Sequence, residues 1–322
     1  MALISTDILQ AQHLLEMGEI VAIPTETVYG LAGNAYNKHI VSKIFAIKQR
    51  PIFDPLIVHA SSIAQVKSFV SDWPAKAYQL AQHFWPGPLT MLLPKKSIIP
   101  DIVTAGSEKV AVRIPDHPLT LPLLQALAFP LAAPSANPFG YISPTTAQHV
   151  NDQLGDQIPY ILSGKACKLG LESTIIGFEQ SLPIIYRLGS IPIEAIEQVI
   201  GPVNLMDATN QPTKMPGTLL RHYSPHKMLK IGDIDSLISQ YKDQRLGILA
   251  FDQYYQGVNP QYQFLLAPHT GSLEEAATNL FAGLRKLDQM PIHLILGAYV
   301  PDIKLGRAIN DRLTRAAAQF VA

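Results

Sequence analysis

The chain has 322 residues, and its 25 lysines and arginines equal its 25 aspartates and glutamates, so it carries no formal net charge. This balance argues against an extended, non-specific nucleic-acid surface, which would normally give a basic excess. Because hydrophobic residues make up 48% of a chain that is long for one compact core, two domains with sizeable interiors are expected.

The only cysteine is Cys167, which excludes an internal disulfide and a multi-cysteine metal site. The N-terminal segment contains Asp7 and Glu16 and lacks the basic start and apolar run of a signal peptide. No uncharged apolar stretch approaches the roughly 18 residues that a membrane span requires. We therefore expect a cytoplasmic protein with no membrane partner.

The first 202 residues alternate between helical and strand-like patterns. Residues 3–16 fit helical periodicity, with Ile8, Leu9, His13 and Leu15 on the predicted buried face. Later segments such as "KHIVSKIFAIKQRP" predict helices, and segments such as "EIVAIPT", "LIVHA" and "KVAVRIP" predict strands. Residues 1–202 are therefore predicted to form an α/β domain.

The remaining chain divides into two parts. Residues 203–228 are polar, rich in proline and without periodicity, which predicts a linker. In residues 229–322, strand-like segments alternate with helices such as "SLEEAATNLFAGLRKLDQ", which predicts a second, smaller Rossmann-like α/β domain.

The glycine-rich loops that bind phosphate are missing, since neither G-x-x-x-x-G-K-[ST] nor a strand-linked G-x-G-x-x-G occurs. A nucleotide would therefore have to be bound by side chains. Lys48 and Arg50 are candidates at the end of a predicted helix, although two cations there could equally interact with the helix macrodipole. Ser135 and Asn137 follow an apolar strand, and an ordinary turn is the alternative explanation for them.

Other strand ends carry similar groups. "PTET" places a carboxylate between two threonines at the end of a buried strand, and Arg113 closes the alternating segment "KVAVR". Ser173 opens a strand, and Arg187 lies in "IIYRLGS". Each has a structural explanation when taken alone, but together they favour a pocket for a small polar ligand.

These segments, in this order, resemble the Sua5/YrdC/YciO family: "PTETVYGL", "KQRP", "DPLIVH", "VRIPDHP", "APSANPFGYISPT", "ESTII" and "YRLGSI". The linker "PGTLLRHYSP" and the domain after it resemble the longer Sua5 type. The resemblance implies a twisted, open mixed sheet of YrdC type with a positively lined cleft, and a linker that lies over the active site.

The resemblance also implies an activity. L-Threonine, bicarbonate and ATP, the last with Mg²⁺, would give threonylcarbamoyl-adenylate and pyrophosphate, which makes the chain a nucleotidyltransferase. The product would serve a downstream threonylcarbamoyl transferase complex that modifies adenosine 37 of tRNA, so tRNA would be at most an indirect partner. The alternative is a YciO-like paralogue that binds nucleotide or RNA without synthase activity.

Residue roles follow from the same resemblance. Lys48 and Arg50 would be catalytic, holding the triphosphate and stabilising the leaving pyrophosphate. Seven further residues would lie near ATP: Asp54, Lys109, Ser135, Asn137, Ser143, Arg187 and Tyr223. Arg113 would hold the threonine carboxylate, and five residues would line the threonine pocket: Thr25, Thr27, His59, Ala133 and Ser173.

No residue is expected to be a dedicated metal ligand. Two positions depart from the family pattern. Asp54 stands where many relatives have asparagine, and Leu220 stands where related linkers have an aromatic residue.

Overall fold

The computed structural model describes residues 1–206 and 222–318, so most of the predicted linker 203–228, including Leu220, lies outside the described residues. The chain divides into two compact units. The first comprises Met1–Phe139, Pro144–Lys168 and Glu172–Thr218, and the second comprises Gly140–Ser143, Leu169–Leu171 and Leu219–Ala322.

The first unit is built around one large sheet. Its described strands are β1 (Leu3–Ser5), β2 (Val21–Ile23), β3 (Gly30–Asn34), β4 (Ile57–His59), β5 (Leu89–Pro94), β6 (Lys109–Arg113), β7 (Leu131–Ala132), β8 (Tyr160–Leu162), β9 (Thr174–Glu179), β10 (Leu182–Arg187) and β11 (Asn204–Leu205). Its described helices are α1 (Ile8–Glu16), α2 (Lys38–Lys48), α3 (Ile63–Phe69), α4 (Ala75–Phe84), α5 (Asp101–Thr104), α6 (Thr120–Ala126), α7 (Ala147–Leu154) and α8 (Ile193–Ile200).

The strand order is β1-β8-β2-β3-β7-β4-β6-β5-β9-β10-β11, with β1 and β11 at the two edges. Parallel pairs such as β4 with β6 lie beside antiparallel pairs such as β5 with β6. The prediction of an open mixed sheet is therefore confirmed.

Strand β2 shows how the sheet is covered on both faces. Ala22 packs in one hydrophobic cluster with Ile44 of α2, whereas its neighbours Val21 and Ile23 pack in another cluster with Leu15 of α1. Successive side chains of a strand point to opposite faces, so this alternation places helices on both sides of the sheet.

The predicted helix over residues 3–16 is wrong at its start. Residues 3–5 form β1, which pairs in parallel with β8. The helix begins only after Asp7, whose carboxylate accepts hydrogen bonds from the backbone N–H groups of Leu9 and Gln10. Leu9 is 75% exposed, and the buried positions are Ala11 and Leu15. The Asp7 N-cap sets the start of the helix, and apolar periodicity alone does not indicate this position.

The second unit contains a smaller, all-parallel sheet in the order β12-β15-β13-β14. Its described elements are β12 (Met228–Ile231), α9 (Ile234–Gln240), β13 (Leu246–Ala250), a 3₁₀ turn (Pro260–Tyr262), β14 (Gln263–Leu265), α10 (Leu273–Gln289), β15 (Leu294–Gly297) and α11 (Leu305–Ala317). Helix α10 packs closely on this sheet, because a Cβ at Gly283 would lie 2.5 Å from Cδ1 of Phe264. The second α/β domain is confirmed. Among the helices of the described ranges, none combines the length and apolar character needed to cross a membrane.

Candidate functional site

The K-x-R segment lies where α2 ends. The backbone N–H of Gln49 donates to the carbonyl of Ala46 at 3.1 Å, and that of Arg50 donates to the carbonyl of Phe45 at 2.9 Å. Gln49 has a φ of 53°, in the left-handed region. This is the Schellman geometry that reverses the chain at a helix C-terminus. It sets Lys48 on the last turn of the helix and Arg50 just beyond it.

Lys48 donates hydrogen bonds to carbonyls that lie outside its own helix. The ammonium is buried, and its Nζ donates to the backbone carbonyls of Ser135 and Asn137, each at 2.5 Å. Burial lowers the pKa of Lys48 well below its ordinary value, Arg50 lowers it further, and Asp54 opposes the shift. The macrodipole explanation therefore does not account for this lysine, which joins K-x-R to S-x-N.

Arg50 is held by the segment that follows it. Its Nη2 lies 3.0 Å from Oδ2 of Asp54 and donates to the carbonyl of Pro55 at 2.8 Å, while Nε donates to the carbonyl of Asp54 at 3.0 Å. Both side chains of the ion pair are buried. The negative charge at position 54 is therefore balanced by Arg50.

The S-x-N loop lies beside the strand that leaves "PTET". The N–H of Leu31 donates to the carbonyl of Pro134 at 2.7 Å, and the N–H of Ala136 donates to the carbonyl of Tyr29 at 2.8 Å. Ser135 forms an isolated antiparallel bridge with Gly30. The strand that follows "PTET", the S-x-N loop and, through Lys48, the K-x-R segment are thus brought together.

Ala133, a predicted threonine-pocket residue, directly precedes this loop. Its N–H donates to the carbonyl of Ile57 at 3.0 Å, which fixes it against β4. A Cβ at Gly30 would lie 3.3 Å from Cβ of Ala133, so the chain approaches it closely from the other side as well.

Arg113 and "PTET" form a second buried polar group. Nη1 of Arg113 donates to Oγ1 of Thr27 at 2.9 Å, Nη2 lies 2.6 Å from Oε1 of Glu26, and Nε donates to the carbonyl of Gly87 at 3.2 Å. Oγ1 of Thr27 also lies 2.8 Å from Oγ1 of Thr25. The arginine is therefore fixed at all three of its nitrogens.

His59 lies next to Arg113 in the sheet, because the two are register partners in the parallel pair of β4 and β6. Burial lowers the pKa of His59 to about 3, and the Arg113 charge contributes to the shift. Its Nδ1 is buried and has no hydrogen-bond partner among the described residues. His59 is thus a neutral imidazole with unused hydrogen-bonding capacity.

Ser173 and Arg187 are also joined. Nη2 of Arg187 donates to the carbonyl of Ser173 at 2.8 Å and to its Oγ at 3.1 Å. The same Oγ lies 2.7 Å from Oγ1 of Thr90. A Cβ at Gly189 would lie 2.4 Å from the carbonyl carbon of Ser173, so only glycine permits this close backbone approach.

Lys109 is not brought to the same end of the sheet as Arg113. The two occupy opposite ends of β6, about 13 Å apart at the usual rise per strand residue. Nζ of Lys109 lies 2.6 Å from Oε1 of Glu179. Its contact with ATP stays a prediction.

Ser143 and Tyr223 belong to the second unit. The carbonyl of Ser143 accepts a hydrogen bond from Nε of Arg285 at 3.2 Å. The Tyr223 ring is stacked on Phe281 with a centroid distance of 5.5 Å, and the Arg312 guanidinium lies 5.1 Å from its centroid. Both stay predictions as ATP contacts, and Arg221 of the same linker motif lies outside the described residues.

Three contacts at this site involve residues that are not among the predicted ATP-binding or threonine-binding residues. Glu26 could have been found, because it is an acid within an otherwise neutral "PTET". Thr90 is a buried hydroxyl in the apolar strand "LTMLLP", which is a weaker signal. Gly87 contributes a backbone carbonyl, and no side-chain pattern could have indicated it.

Known proteins resemble the chain throughout its length. Residues 13–189 match the Sua5/YciO/YrdC family, described as "Telomere recombination", and residues 191–318 match "Threonylcarbamoyl-AMP synthase, C-terminal domain". The chain is 40% identical over 322 residues to the threonylcarbamoyl-AMP synthase of Bacillus subtilis, with coverage of 96% of this chain and 92% of that protein. It is 36% identical over 321 residues to the threonylcarbamoyl-AMP synthase of Pyrococcus abyssi, with coverage of 95% and 92%.

The fold agrees with these matches. The crystal structure of P. abyssi Sua5 complexed with L-threonine aligns with a TM-score of 0.90 and 35% identity over 98% of each chain. The chain therefore belongs to the Sua5/YciO/YrdC family.

Proposed function

We propose that this chain is an L-threonylcarbamoyladenylate synthase, a nucleotidyltransferase that forms threonylcarbamoyl-AMP and pyrophosphate from L-threonine, bicarbonate and ATP. The observation that carries the proposal is the link that Lys48 makes between K-x-R and S-x-N, in the same unit as the buried Arg113 group. Relatives that match nearly the whole chain carry the synthase name. The product would pass to a downstream transferase complex that modifies adenosine 37 of tRNA.

The nucleotide half of the reaction needs positive charge in fixed positions. A carbamate oxygen attacks the α-phosphorus of ATP, and the bond to pyrophosphate breaks. Lys48 and Arg50 would stabilise the negative charge that develops on the leaving pyrophosphate, and donors held rigidly in place do this best. Ser135 and Asn137 would complete the nucleotide contacts.

A covalent enzyme intermediate is not part of the proposal. Cys167 is buried, and burial raises the pKa of its thiol to about 12. The thiolate, which is the reactive form of cysteine, is therefore scarce at neutral pH. Catalysis would come from positioning and charge stabilisation.

The amino-acid half would use the group around Arg113. Its planar guanidinium suits a carboxylate, which it can bind through two parallel hydrogen bonds. The hydroxyls of Thr25 and Thr27, the neutral imidazole of His59, and Ser173 offer partners for the other polar groups of threonine.

Mg²⁺ would enter with ATP and neutralise phosphate charge. The described residues hold no cluster of three or more His, Cys, Asp and Glu side chains suited to a metal ion. The one carboxylate assigned to the nucleotide side, Asp54, is paired with Arg50. Phosphate oxygens and water would therefore supply most of the ligands, as is usual for Mg²⁺ bound with a nucleotide.

The test is pyrophosphate release from ATP by the purified protein, with L-threonine and bicarbonate each present or omitted. We expect release that requires both. Release that needs neither would contradict the proposal and indicate a nucleotide hydrolase. ATP binding without release would favour the YciO-like alternative.

A further inference from the structure

The contact between Glu26 and Arg113 is a buried ion pair in which both Glu26 oxygens lack a hydrogen bond among the described residues, although Nε and Nη1 of Arg113 each donate one. Oε1 of Glu26 lies 2.6 Å from Nη2 of Arg113, and the two residues are 6% and 3% exposed. Neither carboxylate oxygen of Glu26 receives a hydrogen bond, and Nη2 of Arg113 donates none, among the described residues. A buried polar group without hydrogen bonds costs stability, so this pair is suited to a ligand that offers both donors and acceptors.

The residue that supplies the acidic half of this pair borders a cavity. Glu26 and Thr25 border a cavity of about 660 Å³, which Asp116, His117 and Lys165 also line. All of these residues belong to the first unit. The cavity is larger than a single small amino acid needs, so its size does not restrict the choice among small ligands.

The charges restrict that choice. Arg113 and Glu26 together are neutral, and both are nearly removed from water. A simple carboxylate bound to Arg113 would bring an extra negative charge next to Glu26, which is unfavourable in a buried site. A zwitterion brings an ammonium as well as a carboxylate, so it adds no net charge to the group.

We propose that Glu26 is a specificity-determining residue that makes this site select an α-amino acid over a carboxylic acid that lacks an amine. The inference rests on the proposed function, because it takes the Arg113 group to be the L-threonine site. It adds a requirement that Arg113 alone does not impose, since an isolated arginine binds either class of carboxylate.

Binding measured by calorimetry tests this without the need for turnover. The ligands are L-threonine and 2,3-dihydroxybutanoate of the same configuration, in which a hydroxyl replaces the amine. We expect the unsubstituted protein to prefer L-threonine by about 100-fold or more, because sites that bind a polar group discriminate strongly against ligands lacking it. Glu26→Gln should reduce this preference at least about tenfold, by weakening threonine binding and strengthening binding of the hydroxy acid.

Two further variants separate charge from structure. Glu26→Asp keeps the charge, so it should keep the preference even if both ligands bind more weakly. Asp72→Asn removes an exposed carboxylate of the first unit that does not border this cavity, and it should change neither affinity by more than about twofold.

The outcomes are distinct. Equal weakening of both ligands by Glu26→Gln would mean that Glu26 only holds Arg113 in place, and it would overturn the inference. An unchanged preference would overturn it as well, while threonine binding by the unsubstituted protein would leave the proposed function standing. No threonine binding by the unsubstituted protein would contradict both.

Discussion

The proposed nucleotide side and the proposed amino-acid side of the candidate site both bury cations, but the cations have different partners. Lys48 donates to two neutral backbone carbonyls, whereas Arg113 lies against the carboxylate of Glu26. Carbonyls satisfy N–H groups without cancelling their charge. Arg50 forms an ion pair with Asp54, whereas the printed contacts of the Lys48 ammonium are with backbone carbonyls. The first arrangement suits a polyanion such as ATP, and the second suits a zwitterion such as threonine.

The neutral partners of Lys48 also affect its pKa. Burial lowers its pKa, and no carboxylate contacts its Nζ among the described hydrogen bonds and ion pairs. A phosphate placed beside it would raise that pKa again, because an opposite charge favours the ionised form. Nucleotide binding and the positive charge of Lys48 would therefore reinforce each other.

The largest expected effect breaks the nucleotide side. Lys48→Met keeps most of the buried stem and removes the charge, so pyrophosphate release should fall by about 100- to 1,000-fold, as when one fixed charge-stabilising donor is lost. Lys43→Met, at an exposed position of the same helix, should leave the rate within about twofold. If Lys48→Met changed neither the rate of pyrophosphate release nor the affinity for ATP, the assignment of Lys48 to the nucleotide site would be contradicted.

Removal of one partner from the ion pair beside Lys48 should lower stability. Asp54→Ala leaves the Arg50 charge buried without its counterion, so the free energy of unfolding should fall by about 3–5 kcal/mol. In a double-mutant cycle with Arg50→Met, the coupling should be about 1–3 kcal/mol. The more exposed Lys109–Glu179 pair is the control, with a coupling below about 1 kcal/mol. Additive Arg50 and Asp54 effects would show that the two charges do not stabilise each other.

Arg113→Ala should affect the two substrates unequally. The KM for L-threonine should rise about 100-fold, because a charge-assisted hydrogen-bonded pair to the ligand is lost, while the KM for ATP changes by less than about twofold. Arg113→Lys should recover little of the lost affinity for L-threonine, since lysine lacks the planar guanidinium that binds a carboxylate through two hydrogen bonds. An exposed arginine in the second unit, Arg245, is the control for replacement by alanine. Equal changes in both KM values would rule out Arg113 as the residue that binds the carboxylate.

His59 gives the smallest effect, a dependence of stability on pH. Its folded pKa of about 3 lies below the ordinary value of 6.5, so between these values the unfolded chain binds more protons. Stability therefore falls as the pH drops below about 6.5, and this residue alone should account for about 2 kcal/mol between pH 7 and pH 5. Urea unfolding at both pH values measures the change in the free energy of unfolding. In His59→Gln this change should be smaller by the contribution of His59, whereas in His39→Gln, a substitution at an exposed position, it should be the same as in the unsubstituted protein. The same pH dependence in the unsubstituted protein and in His59→Gln would contradict a buried neutral imidazole.

Local sequence patterns predicted the elements of the site better than its contacts. K-x-R, S-x-N and "PTET" could be named because each combines charge or hydroxyl groups with a helix or strand end. The Glu26–Arg113 pair could not be predicted, because it depends on which strands become neighbours in the sheet. The ATP contact of Lys109 follows from the family resemblance alone, and it stays a prediction, since Lys109 lies at the other end of β6 from Arg113.

One measurement tests the central claim most directly. The unsubstituted protein and Lys48→Met would be incubated with ATP, L-threonine and isotopically labelled bicarbonate. The nucleotide products would then be identified by mass spectrometry. We expect a labelled threonylcarbamoyl-AMP from the unsubstituted protein, absent when threonine is omitted and reduced at least about 100-fold in Lys48→Met. Pyrophosphate release without any labelled adduct, or equal adduct from both proteins, would contradict it.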